Sequence, residues 1–113
     1  MLNYRIHGER NDTQPVLVVL HGLLGSLENW STFARSQAEQ RCVIAVDLRN
    51  HGDSPALTGM AYRDMAQDVV AVLDALAVTE CDLMGHSMGG KVAMFLALHH
   101  PARIRRLIVV DIA

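Results

Sequence analysis

The sequence predicts one α/β domain, or part of one, over residues 1–113, a mostly parallel sheet with helices on both faces. Three observations carry this reading. Apolar runs of strand length alternate with longer stretches of helical periodicity, and glycines punctuate the joins. The chain has 113 residues, half of them apolar, which is enough for one core and no more. Strand–helix alternation of this kind implies right-handed crossovers between parallel strands.

Taken in order, Leu2 to Ile6 alternates and is the more polar run, as suits an antiparallel edge strand. Val16-Leu17-Val18-Val19-Leu20 is β-branched and unbroken, the pattern of a strand covered on both faces. Trp30 to Gln40 is moderately amphipathic, with Trp30, Phe33, Ala34 and Ala38 near one face of a helix. Val43-Ile44-Ala45-Val46 repeats the buried-strand pattern. The clearest helix is Tyr62 to Leu76, where Met65, Val69, Val72, Leu73 and Leu76 recur at three- and four-residue steps. Cys81 to Gly85 is read as a strand chiefly from its context. Met88 to His99 is a third helix, ended because Pro101 disfavours helix in the residue before it. Leu107-Ile108-Val109-Val110 is the last strand.

Ten basic against twelve acidic residues give a formal charge of −2, without the clustered positive field a nucleic-acid partner needs. Arg103, Arg105 and Arg106 are expected on a solvated turn. The N-terminus lacks the basic-then-apolar order of a signal peptide, and the longest apolar run is far too short to span a bilayer. The expectation is a cytoplasmic protein with no membrane partner. Cys42 and Cys81 each open an apolar run, as small buried residues do. No metal or cofactor is called for.

The chemistry concentrates in Gly85-His86-Ser87-Met88-Gly89. A strand precedes this segment and an apolar helix follows it, the context that separates a nucleophile elbow from an ordinary Gly/Ser turn. A serine at the tip of so tight a turn has strained backbone angles, and side chains at the flanking glycine positions would collide with the neighbouring chain. The turn lifts the hydroxyl to the carboxyl end of the sheet, where the helix start offers free N–H groups. The second element is His21-Gly22-Leu23-Leu24-Gly25, directly after the strand Val16–Leu20. Gly22 permits close main-chain approach, so that the N–H groups of Leu23 and Met88 would form a two-donor oxyanion hole. His21, Gly22, Gly85, His86 and Gly89 are read as support for the elbow and loop, with His21 a hydrogen-bonding residue rather than a base. Asp47 to Ser54 reads as scaffolding, with Gly52 at positive φ and Asn50 bonding its own backbone; the alternative, which nothing in the spacing requires, is that Arg49 or His51 lines the cleft.

With these motifs in view, the chain resembles the α/β-hydrolase family, and within it bacterial esterases of the short-acyl type. Three ordered motifs carry the resemblance: His21 to Ser26, Asp47 to Ser54, and Gly85 to Lys91. The resemblance implies the α/β-hydrolase fold, ending after about the sixth strand of an eight-stranded pattern, so that these residues form the N-terminal part of one domain. It also implies a small acyl-ester substrate. The family's strand order would set the Cys42 and Cys81 strands on either side of Val16–Leu20, about 10 Å apart. That is beyond the roughly 7 Å Cα limit for a disulfide, so both thiols should be free.

An acyl-transfer serine needs a base in reach and an acid to orient it, in the family's order serine, acid, histidine. The histidines after Ser87 are His99 and His100, about 18 Å away along the helix. The histidine base is therefore expected outside this chain. Asp111, at the end of the last strand, is the candidate acid or a cleft-lining residue; the alternative is a strand-end carboxylate satisfied by local N–H groups. The exposed apolar edge at Leu107–Val110 would invite self-association. Three functions stay open here. They are ester hydrolysis through an acyl-enzyme on Ser87, a non-catalytic fragment or interaction module, and acyl transfer or a lyase reaction on the same scaffold.

Overall fold

The computed structural model describes residues 1–110. Five strands form among them: β1 (Tyr4–His7), β2 (Val16–Leu20), β3 (Val43–Val46), β4 (Cys81–His86) and β5 (Ile104–Val110). Each arises from one of the five apolar runs, against the six or so strands implied by the family pattern. The sheet order is β1-β3-β2-β4-β5, with β1 antiparallel on β3 and every other pair parallel. This is the expected mostly parallel sheet with an antiparallel edge.

Side-chain alternation sorts the strand residues onto two faces. Val16, Val18, Leu20, Ile44, Val46 and Leu83 face α2 (Tyr62–Ala75) and α3 (Met88–His99), packing with Met65, Val69, Leu73, Val92 and Leu96. Leu17, Val19, Val43 and Met84 face α1 (Ser31–Gln37) through Ala34, Trp30 and Phe33. Every residue of β2 and β3 is buried, which is why these strands read as unbroken apolar runs. Each such Val, Leu or Ile contributes roughly 1.5–3 kcal/mol when buried.

Two readings need correction. The expected helix Trp30–Gln40 is split: Ser26 and Asn29 form a reciprocal capping box that winds Leu27–Trp30 into a 3-10 turn, and α1 then ends at Gln37. The arginine cluster is not one solvated turn. Strand β5 begins at Ile104, because residues 104–106 pair with Cys81 and Asp82 through a register shift. Arg105 and Arg106 therefore lie on the strand, and Arg106 reaches Asp82 at 3.4 Å. Arg103 stays on the turn but donates to the carbonyls of Val78 and Thr79.

Cys42 and Cys81 fall on opposite sides of β2 and both are free. Both are buried, and desolvation pushes the Cys81 thiol up to about 12. Thiol titration should find no reactive thiol in the folded protein and two after unfolding. One disulfide, or rapid reaction of Cys81 before unfolding, would contradict the packing.

Candidate active site

Strand β2 sits between β3 and β4, so the chain leaves β2 to one side and returns to the other. The crevice beyond the carboxyl ends of β2 and β4 is the topological switch point, where open α/β sheets bind ligands. Two segments flank it: the loop after Leu20 and the turn after His86.

At the second of these, Ser87 has φ 54° and ψ −116°, a left-handed conformation that costs a non-glycine residue about 1–3 kcal/mol. The surrounding chain leaves no room for relaxation. A Cβ on Gly85 would fall on the Gly89 carbonyl and 2.6 Å from the Gly90 nitrogen. A Cβ on Gly89 would stand 2.5 Å from the Leu20 carbonyl oxygen and against that of His21. With both side chains missing, α3 starts in direct contact with the end of β2. The Ser87 N–H donates to the Val110 carbonyl at 3.1 Å, and the Lys91 N–H closes the first turn onto the Ser87 carbonyl at 3.2 Å.

The loop after β2 lies against this turn. A Cβ on Gly22 would be 3.2 Å from Ser87 Cβ and 2.9 Å from His86 Nδ1. His86 stands edge-on to Trp30, with ring centroids 5.9 Å apart. Leu23 is 61% exposed at the mouth of the crevice. Among the described residues neither the Leu23 nor the Met88 N–H has a hydrogen-bond partner.

Two buried histidines hold that loop in shape. His21 Nδ1 donates to the Gly22 carbonyl at 2.7 Å, and Nε2 accepts from the Leu48 N–H at 2.9 Å. His51 Nδ1 donates to the Arg49 carbonyl at 2.8 Å, and Nε2 accepts from the Leu24 N–H at 3.0 Å. Each ring is thus assigned as the neutral Nδ1–H tautomer. Burial, above all, keeps the His21 pKa below the ordinary 6.5. With both nitrogens engaged, neither ring is placed to take a proton from a serine. Asp47 anchors the arrangement from the end of β3, accepting from the N–H groups of Leu27 and Asp53 and from the Asn3 amide at 2.8–2.9 Å. Burial pushes its pKa up, but these donors outweigh burial and hold the carboxyl below its usual range.

Leu23, Met60, Tyr62, Met65, Ser87, Met88 and Lys91 line a cavity of about 330 Å³. Ser87, Met88 and Leu23 are therefore brought together as the motifs anticipate, with His21, Gly22, Gly85, His86 and Gly89 packed behind them. Met60, Tyr62 and Met65 were missed as lining residues. Met60 lies before α2 in a segment with no recognisable motif, and Tyr62 and Met65 stand in the first turn of α2, whose periodicity marks a core face but not that it reaches the crevice. The other histidines lie elsewhere: His7 is paired with Val43, at the opposite end of the sheet, and His99 stacks on Phe95 at the far end of α3. Asp111, the candidate acid, lies outside the described residues. The loop 47–54 is scaffolding as expected: Gly52 has φ +52° and Arg49 grips Asp68 at 2.6 and 2.9 Å. Asn50 departs from the expectation: it takes a positive φ itself, and its side-chain oxygen accepts from the N–H of Leu57 rather than from its own backbone.

Among the described residues no group of three His, Cys, Asp or Glu could hold a metal ion, and no helix is long and apolar enough to cross a membrane.

Comparison with known proteins agrees with the fold. The family described as "alpha/beta hydrolase fold" matches residues 15–112. The chain is 48% identical over 103 residues to the sn-1-specific diacylglycerol lipase ABHD11 of Mus musculus, covering 89% of this chain and 34% of that protein. It is 42% identical over 113 residues to Esterase YbfF of Escherichia coli strain K12, covering 99% and 44% of the two chains. Among solved structures, a marine microorganism esterase superposes with a TM-score of 0.93 at 39% identity, over 99% of this chain and 42% of that one. The chain thus spans between 34% and 44% of the length of these proteins.

Two outcomes follow. Gly89→Ala should lower stability by about 2–3 kcal/mol in urea unfolding, since the added methyl meets carbonyl oxygens of β2 that cannot move apart; a neutral effect would contradict the contact. The buried neutral His21 sets a pH dependence. The unfolded chain takes up a proton near 6.5 and the folded one resists it, so stability is full above that pH and falls as pH drops beneath it. Asp47 adds a further loss at lower pH, as its carboxylate protonates below the ordinary 3.8. The urea midpoint should decline from about pH 8 to about pH 5, with a shallower slope in His21→Gln. A flat midpoint would exclude the buried neutral ring.

Proposed function

This chain belongs to the α/β-hydrolase family, and from that premise we infer that it supplies the nucleophile and oxyanion donors of a serine-dependent carboxylic-ester hydrolase. Relatives carrying the names esterase and lipase support ester hydrolysis in general. The observation that carries the finer reading is the strained Ser87, held beside Gly22 and at the wall of the same cavity as Leu23 and Met88.

In the proposed reaction Ser87 Oγ attacks the ester carbonyl while a histidine base takes its proton. Negative charge gathers on the carbonyl oxygen, where the Leu23 and Met88 N–H groups would donate to it. Collapse of the tetrahedral intermediate expels the alcohol, which recovers the proton from the histidine, and leaves an acyl-enzyme on Ser87. Water, deprotonated by the same base, attacks this ester and frees the acid. The relation of length to the relatives supports placing these residues in the N-terminal part of a larger domain, with the histidine in the remainder. Asp111 is proposed as the acid that orients it, and the substrate as a small acyl ester.

A fluorophosphonate should label Ser87 in protein carrying sequence beyond residue 113, and Ser87→Ala should abolish both labelling and turnover. Residues 1–113 alone should label far more slowly, because loss of the base costs several orders of magnitude in rate. Labelling at another residue would overturn the assignment. Asp111→Ala should lower kcat by at least about tenfold with stability retained; unchanged activity would remove Asp111 from the triad.

A further inference from the structure

The cavity beside Ser87 carries one charge that the acyl-transfer steps leave unused. Its lining is mostly apolar, from Leu23, Met60, Tyr62, Met65 and Met88, and Lys91 is the one cation among the described lining residues. Helix geometry explains its presence. Lys91 follows Ser87 by four residues and Met88 by three, so the three emerge on one face of the first turn. Side chains on a helix lean toward its N-terminus, the end at which Ser87 stands. Lys91 is half-buried, and among the described residues it takes part in no ion pair. Among the described residues no carboxylate lines the cavity. Apolar walls around a single cation strengthen its field in the cleft, and the flexible thioethers of Met60, Met65 and Met88 can adapt to whatever lies between that charge and Ser87.

We propose that Lys91 is a specificity residue that selects esters bearing an anionic oxygen group, carboxylate or phosphate, a few atoms from the scissile carbonyl. The inference rests on the reading of Ser87 as the nucleophile. The ammonium supplies up to three N–H donors to that group, and the helix start adds a field of the same sign. The anion can reach Lys91 from the acyl or from the alcohol portion of the ester; the recognising chemistry is the same.

The test compares two matched pairs of esters on the complete enzyme. The para-nitrophenyl monoester of glutaric acid against para-nitrophenyl pentanoate places the anion on the acyl side. Para-acetoxybenzoate against its methyl ester places it on the alcohol side. In the wild type the anionic member of one pair should have the higher kcat/KM, and added salt should lower that preference. Lys91→Met should reduce the anionic-to-neutral ratio of kcat/KM by roughly tenfold, while Lys91→Arg retains most of it. Lys91→Gln gives the same comparison if the methionine variant does not fold. The responding pair identifies the side that carries the anion. A ratio that Lys91→Met and Lys91→Gln leave unchanged in both pairs overturns the proposal. Fluorophosphonate labelling of Ser87 separates the two levels. An unlabelled wild type sinks the nucleophile reading itself, whereas a labelled enzyme with an unmoved ratio sinks only the role of Lys91.

Discussion

The first turn of α3 touches the ends of β2 and β4 because Gly89 and Gly85 carry no side chains. A methyl at either place would overlap backbone atoms, not a side chain that could swing away. That contact sets how far α3 can settle onto the sheet, and so sets the height of Ser87 above the crevice. It also explains the backbone of Ser87. A chain that must end a strand, reverse and begin a helix within so short a space has little choice but a positive φ. The cost is about 1–3 kcal/mol, and it is offset by the burial on both faces of the strands behind it, where β2 and β3 are covered throughout.

The same contact brings the loop after β2 to the serine, but it does not hold the loop's shape. That falls to polar groups. His21 joins the loop to Leu48, and His51 joins it to the segment after β3, each through one donated and one accepted hydrogen bond. Asp47 ties the same region to Asn3, Leu27 and Asp53. Buried polar atoms that are all satisfied stiffen the structure around them. Here they fix two loops that meet at the crevice. These histidines are structural because both their nitrogens are occupied, so an abundance of histidine near a serine is not a catalytic dyad.

Much of this was legible in the residues. The buried strands declared themselves because parallel strands covered on both faces have no polar side to show. The elbow is legible because its steric demands allow only small residues two positions before and two after Ser87, and Met88–His99 is bounded by that turn and by Pro101. The failures have physical reasons too. Trp30 to Gln40 has an amphipathic period, but the capping box at Ser26 started a tighter turn upstream. Arg105 and Arg106 look like turn residues, yet pairing with β4 draws them into β5, where Asp82 provides a partner. Met60 and Tyr62 lack any pattern, since their place beside Ser87 depends on how the 47–62 segment folds back. Lys91 stood inside a recognised motif, but its charge acquired meaning only beside an apolar cavity.

The proposed service of elbow and loop to one reacting centre is tested most directly by a crystal structure of the protein phosphonylated on Ser87. The phosphoryl oxygen should lie about 2.7–3.1 Å from the nitrogens of both Leu23 and Met88, with the His21 and His51 hydrogen bonds unchanged. An oxygen directed to solvent, or held by other donors while these two N–H groups stay apart from it, would contradict the account.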